Sequence, residues 1–106
     1  MSSRKNAPRL SDRDLENVAL YFKMLGEPMR LKILQAICRG PRAVGDIVAA
    51  VGATQANVSK HLALLAATGI VVRKKEGQSV YYRLKDSLTL KICELVHNQW
   101  NGSTEA

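Results

Sequence analysis

Apolar positions recur at helical spacing through most of this chain and give way to short strand-like runs in one stretch. A first helix is predicted over about 11–25. Ser11 followed by Asp14 makes a capping-box-like start. Leu15, Val18, Phe22 and Leu25 share one face of it, with Leu20 and Met24 on another. Pro28 suits the first position of a second helix, which Gly40-Pro41 ends. Along it Met29, Leu31, Ile33, Leu34, Ile37 and Cys38 form a wide apolar arc, opposite Lys32, Gln35 and Arg39. A short third helix is predicted over about 43–51, closing at Gly52. A fourth follows over about 55–67, with Thr54 as its N-cap and Gly69 near its stop. Residues 71–72 and 80–84 read as two strands joined around Glu76-Gly77. A final helix over about 86–100 has Asp86 at its start, where a carboxylate favours the helix dipole. Residues 1–10 read as a disordered basic arm and 101–106 as a flexible tail, leaving 11–100 as one domain.

Two of these helices carry more apolar surface than one small core can use. Leu20 and Met24 lie off the main face of the first helix, and Leu88, Ile92, Cys93, Leu95, Val96 and Trp100 cover most of the last one. A second apolar face calls for a second surface to bury it. A homodimer through the first and last helices is therefore expected, with Leu20, Met24, Leu88, Leu95 and Trp100 at its interface.

The stretch from Ala53 to Leu84 is the most informative. It runs as a polar-started helix, a Thr-Gly break, a cationic strand, a tight turn and an aromatic strand. A helix followed by a basic β-ribbon is the layout of a winged helix-turn-helix, in which the helix enters the major groove and the ribbon grips the backbone. The predicted fold is accordingly mainly α with a β-hairpin wing, in the order α-α-α-α-β-β-α. On the fourth helix Val58, Leu62 and Leu65 face inward, which leaves Gln55, Asn57 and Lys60 on the opposite side and Ser59 and His61 on the flanks. Gln and Asn pair with adenine edges, Lys reaches guanine or phosphate, and Thr54 or Ser59 can serve either. On the ribbon Arg73, Lys74, Lys75, Gln78 and Tyr81 suit phosphate or minor-groove contact.

Charge and composition reinforce this picture. The net charge of +7 is concentrated in the first ten residues, in the second helix and the turn after it, and on the ribbon. Such clustering points to a polyanionic partner, here double-stranded DNA, and a homodimer presenting two copies of the fourth helix implies an inverted-repeat operator. No apolar run approaches a membrane span, and the opening MSSRKNAPRL lacks the apolar segment of a secretory signal, so a cytoplasmic protein without membrane contact is expected. Cys38 and Cys93 stand alone, with no CxxC or CxC, and are expected as thiols. No Gly-rich phosphate loop, paired carboxylates or Ser-His-Asp arrangement suggests an enzyme. The competing reading is a winged-helix protein-interaction module without sequence-specific DNA binding. The polar edge of the fourth helix and the cationic ribbon argue against it.

From about residue 15 to 100 the chain resembles the ArsR/SmtB family of bacterial winged-helix repressors. MLGEPMRLKIL carries part of the likeness. The specific part is V-S-x-H-L, then L, then G-I-V, then a basic G-Q-x-x-Y-Y-x-L wing. The resemblance implies a dimer through the first and last helices, repression, and release from DNA when a metal ion or an oxidised sulfur species binds. The family's signal-sensing positions are mostly changed here. Where one group has a CxC before an Asp at the third helix, this chain has Ala43, Gly45 and Asp46. Where another has Asp and His near the start of the last helix, Asp86 matches but Leu88 replaces the His, and Gln99 replaces a second His near the end. A third group uses one Cys in the second helix and one late in the last. Gln35 and Asn101 hold those positions here, whereas the thiols sit at Cys38 and Cys93. Three readings stay open for the thiols: buried packing residues, a thiol sensor, or part of a metal site in which Cys93 and His97, spaced i, i+4, act with Asp86 or Cys38. No cofactor is required beyond such a metal ion.

Overall fold

The computed structural model describes residues 9–105, so the greater part of the arm at residues 1–10 lies outside the described residues. Five helices and three short strands follow in the order α1 (Asp12–Leu25), α2 (Pro28–Ile37), β1 (Arg42–Ala43), α3 (Val44–Val51), α4 (Gln55–Ala67), β2 (Val71–Glu76), β3 (Ser79–Leu84) and α5 (Ser87–Glu105). The start signals operate as read. Ser11 Oγ accepts from the Asp14 N–H at 3.1 Å, Thr54 Oγ1 accepts from the Asn57 N–H at 3.2 Å, and Asp86 Oδ1 accepts from the Leu88 N–H at 3.1 Å. Pro28 opens α2, and the cap before it is Glu27, whose carboxylate accepts from the Arg30 N–H at 3.0 Å. The α3–α4 turn passes through Gly52 at a φ of 69°, the left-handed conformation glycine adopts without a Cβ penalty.

The core is built by α2, α3 and α4 around Ile33, Leu34, Ile37, Ile47, Val58, Leu62 and Leu65, all essentially inaccessible to solvent. Ile70, Val71 and Tyr82 close it from the sheet, and Met24 and Leu25 from the end of α1. The antiparallel sheet has the order β1-β3-β2. The two-residue β1, with Arg42 opposite Tyr82 and Ala43 opposite Tyr81, is not foreshadowed by the sequence pattern. Such a strand is too short to show an alternation.

Four expectations are corrected. On α1 the inward arc is centred on Tyr21 and takes in Val18, Met24 and Leu25, while Leu15, Leu20 and Phe22 are exposed. Met24 therefore belongs to the protomer's own core and not to a second face. Tyr21 is the physical reason: its hydroxyl meets Thr89 Oγ1 at 2.7 Å, turning that arc toward α5 and the body. On α2, Leu31, read as part of the apolar arc, is exposed, because the arc turned to the core is narrower and centred on Ile33, Leu34 and Ile37. β2 extends to Glu76, well past residue 72, because its backbone pairs with β3 along the whole ribbon. Finally, α5 continues to Glu105, across residues read as a tail.

Candidate nucleic-acid interface

Helix α4 presents two chemically distinct sides. Val58, Leu62 and Leu65 fix it to the core, which leaves Gln55, Asn57, Ser59 and Lys60 exposed over its N-terminal half. Thr54, also exposed, already accepts the first-turn hydrogen bond through its hydroxyl oxygen and retains its O–H and one lone pair to offer a ligand. The end of α4 is closed by Thr68, whose hydroxyl donates to the Leu64 and Leu65 carbonyls, before Ile70 enters β2.

The wing is a hairpin with Lys75 opposite Val80 and Glu76 opposite Ser79. Its turn places Gly77 at a φ of 60°, before a Gln78 whose φ is not positive, the pattern of a type II′ turn. Strand alternation divides the cation run, since successive side chains point to opposite faces. Arg73 and Lys75 continue the face of Val71 and lie across from Tyr82 and Val80. Lys74 lies on the other face across from Tyr81, with its ammonium 3.3 Å from the Glu76 carboxylate. That exposed pair contributes at most about 1 kcal/mol and leaves Lys74 exchangeable with a phosphate. Arg73, Lys74, Lys75 and Gln78 are exposed, whereas Tyr81 is half-buried.

His61 does not share the open edge of α4. Its side chain keeps 14 % of its accessibility and turns back toward α2. There Nδ1 lies 3.3 Å from Arg30 Nη1 and 3.7 Å from Glu27 Oε2. Arg30 is a buried cation at 9 % exposure, and its guanidinium also donates to the carbonyls of Met24 (2.7 Å) and Lys23 (3.4 Å) at the end of α1. Partial burial works against the charge of Glu27. Hydrogen bonds from the Arg30 and Met29 N–H groups and the charge of Arg30 outweigh it, holding the carboxyl below its ordinary value. The sequence reading missed this cluster, although a signal was there: Arg30 stands at i relative to Ile33, Leu34 and Ile37, on the buried face of α2.

Cys38 caps the end of α2, with Sγ donating to the Gln35 carbonyl at 3.2 Å. It lines a recess of about 360 Å³ together with Arg39, Arg83, Lys85, Asp86 and Leu90. Burial pushes the Cys93 thiol up, and the charge of Cys38 adds to the effect. The metal candidates do not converge. Asp86 is engaged in capping α5, His97 Nε2 is 2.6 Å from Asn101 Nδ2, and no three His, Cys, Asp or Glu side chains are grouped for an ion among the described residues. No helix among the described residues is long and apolar enough to cross a membrane.

A three-helix core that displays the polar start of α4 beside a cationic hairpin defines a winged helix-turn-helix DNA-binding domain. The family model for bacterial regulatory proteins of the arsR family matches residues 27–72. The chain is 30 % identical to the nodulation protein NolR of Rhizobium meliloti over 93 residues, covering 88 % of this chain and 76 % of that one. It is 41 % identical to the HTH-type transcriptional regulator CmtR of Mycobacterium tuberculosis over 80 residues, covering 74 % and 68 %. Among solved structures it superposes on the AntR antimony-specific transcriptional repressor with a TM-score of 0.87 at 28 % identity, covering 100 % and 96 % of the two chains. A homodimeric winged helix-turn-helix DNA-binding domain from Mycobacterium bovis gives a TM-score of 0.78 at 31 % identity, covering 93 % and 94 %. The chain belongs to the ArsR family of bacterial regulatory proteins and is a DNA-binding transcriptional regulator.

Proposed function

We propose that this regulator is a cytoplasmic homodimeric repressor that places two copies of α4 in successive major grooves of an inverted-repeat operator. The observation that carries this reading is the exposed Gln55, Asn57, Ser59 and Lys60 edge beside the cationic wing, on a protomer whose α1 and α5 leave Leu20, Leu88 and Leu95 in solvent. Leu15, Phe22 and Val96, also exposed, extend that apolar surface. Two-fold symmetry pairs each helix with one half-site, and the half-sites lie about one turn of DNA apart. Repression accords with a relative described as an arsenical resistance operon repressor.

Within this reading the wing supplies affinity and α4 supplies sequence. Lys75→Ala weakens operator and random DNA by similar factors and lowers the salt slope by about one. Gln55→Ala instead narrows the gap between them, by roughly 1–3 kcal/mol of discrimination. Fluorescence anisotropy against both duplexes over a salt series measures the difference. Equal loss of discrimination in the two variants refutes the division of labour.

The inducer acts, in this reading, on Cys38 and Cys93 as a thiol-reactive sulfur species or oxidant. The cationic recess beside Cys38 favours it, and among the described residues no three His, Cys, Asp or Glu side chains are grouped to hold a metal ion. Polysulfide treatment is expected to abolish operator binding reversibly in the native protein and to leave Cys38→Ser binding. Unchanged binding of the treated native protein would return both thiols to packing.

A further inference from the structure

Three elements meet at one buried point: the last carbonyls of α1, the first turn of α2 and the middle of α4. Arg30 joins them, with Nε on the Met24 carbonyl, Nη2 on the Lys23 carbonyl and Nη1 on His61 Nδ1. A guanidinium has donors and no acceptor. For Nη1 to donate to His61, the ring nitrogen facing it must be bare, which places the proton of a neutral His61 on Nε2. Resting on the reading of α4 as the DNA-reading helix, we infer that His61 is a positioning residue and not a DNA contact. With Arg30 and Glu27 it forms an acid-labile clasp that sets α4 relative to the end of α1.

The lability follows from the geometry. Protonating His61 puts a hydrogen on Nδ1 and sets two cations 3.3 Å apart. The same hydrogen lets the Glu27 carboxylate, now 3.7 Å away and accepting from the Arg30 N–H, accept from the ring as well. Partial burial opposes the Glu27 charge, but the Arg30 and Met29 N–H groups and the Arg30 charge hold its carboxyl below its ordinary value, so it stays ionised through the histidine range. Acid thus exchanges the His61–Arg30 bond for a His61–Glu27 pair and releases one arm of the guanidinium. From α2, the charged groups facing the ring are Arg30 and Glu27; from α1, what reaches the cluster is the backbone carbonyls of Lys23 and Met24. Because α1 contributes to the proposed dimer face, the clasp links the spacing of the two reading helices to that interface.

Two measurements test this. Long-range nitrogen–proton NMR of the free protein at pH 7.5 is expected to show His61 as the Nε2–H tautomer. Anisotropy with DNA from upstream of the protein's own coding sequence is then run from pH 7.5 to 5.5. The native protein is expected to lose affinity by about fivefold on acidification, the scale of one hydrogen bond. His61→Gln, whose amide oxygen can accept from Arg30 but cannot be protonated, should lack that acid loss and restore most of the affinity lost in His61→Ala. Its salt slope should equal that of the native protein. A His61→Gln slope lower by about one, with acid tightening native binding, identifies a phosphate contact and overturns the inference. An Nδ1–H tautomer overturns it as well. If Gln55→Ala and Lys60→Ala both bind like the native protein, α4 is not the reading helix, and the positioning role falls with that reading; a slope change at His61 alone removes only the positioning role.

Discussion

Leu95→Asp is expected to convert the protein to a monomer while leaving the protomer folded. Leu95 lies on α5 with 68 % of its surface in solvent, so the protomer has no packing there to lose. Exposed substitutions of this kind change protomer stability by about 0.5 kcal/mol or less. In the proposed dimer, however, the same position faces a second copy. Symmetry then brings two carboxylates into one apolar interface, each losing water without gaining a partner. Sedimentation should show the monomer mass, with far-UV dichroism unchanged. Operator affinity should fall by about a hundredfold or more, since two linked half-site contacts become one. Leu20→Asp on α1 gives an independent version of the same test. A dimer mass in both variants would remove α1 and α5 as the interface.

Leu62→Ala is expected to produce the largest loss of stability among changes on the DNA-reading helix. Leu62 is wholly inaccessible and packs α4 against the core. Removing it leaves a cavity and costs about 2–5 kcal/mol, against a total of about 5–15 for a domain of ordinary stability. The melting temperature should fall by roughly 10 °C or more. Leu64, two residues on, is 40 % exposed, and Leu64→Ala should shift it far less. Urea titration of the pair, side by side, checks this. Comparable losses at both positions would mean that α4 is not seated as described.

The seating of Leu62 also shows where the sequence sufficed. Val58, Leu62 and Leu65 repeat at helical spacing, and that periodicity alone puts them inward and Gln55, Asn57 and Lys60 outward. Caps act within one turn, so Ser11, Thr54, Pro28 and Asp86 marked their helix starts without any tertiary information. Gly77 likewise marked the wing turn, since its positive φ is a local demand. Helix order, the hairpin and the polar edge of α4 were all readable for the same reason: each is decided by neighbours a few residues apart.

What needed the tertiary structure was decided by residues far apart in the chain. Which arc of α1 turns inward depended on the bond between Tyr21 and Thr89, so Met24 became core and Phe22 surface. The sidedness of Arg73, Lys74 and Lys75 depended on β2 pairing with β3 through to Glu76. His61 reads as a flank of α4 by periodicity, but Arg30 and Glu27, some thirty residues away on α2, claim its ring. Spacing reports which residues can share a face, because helix and strand periods are properties of the backbone. Which of two eligible faces is buried, and which polar side chain leaves solvent for a distant partner, is settled only when the elements pack and every buried donor must find its acceptor.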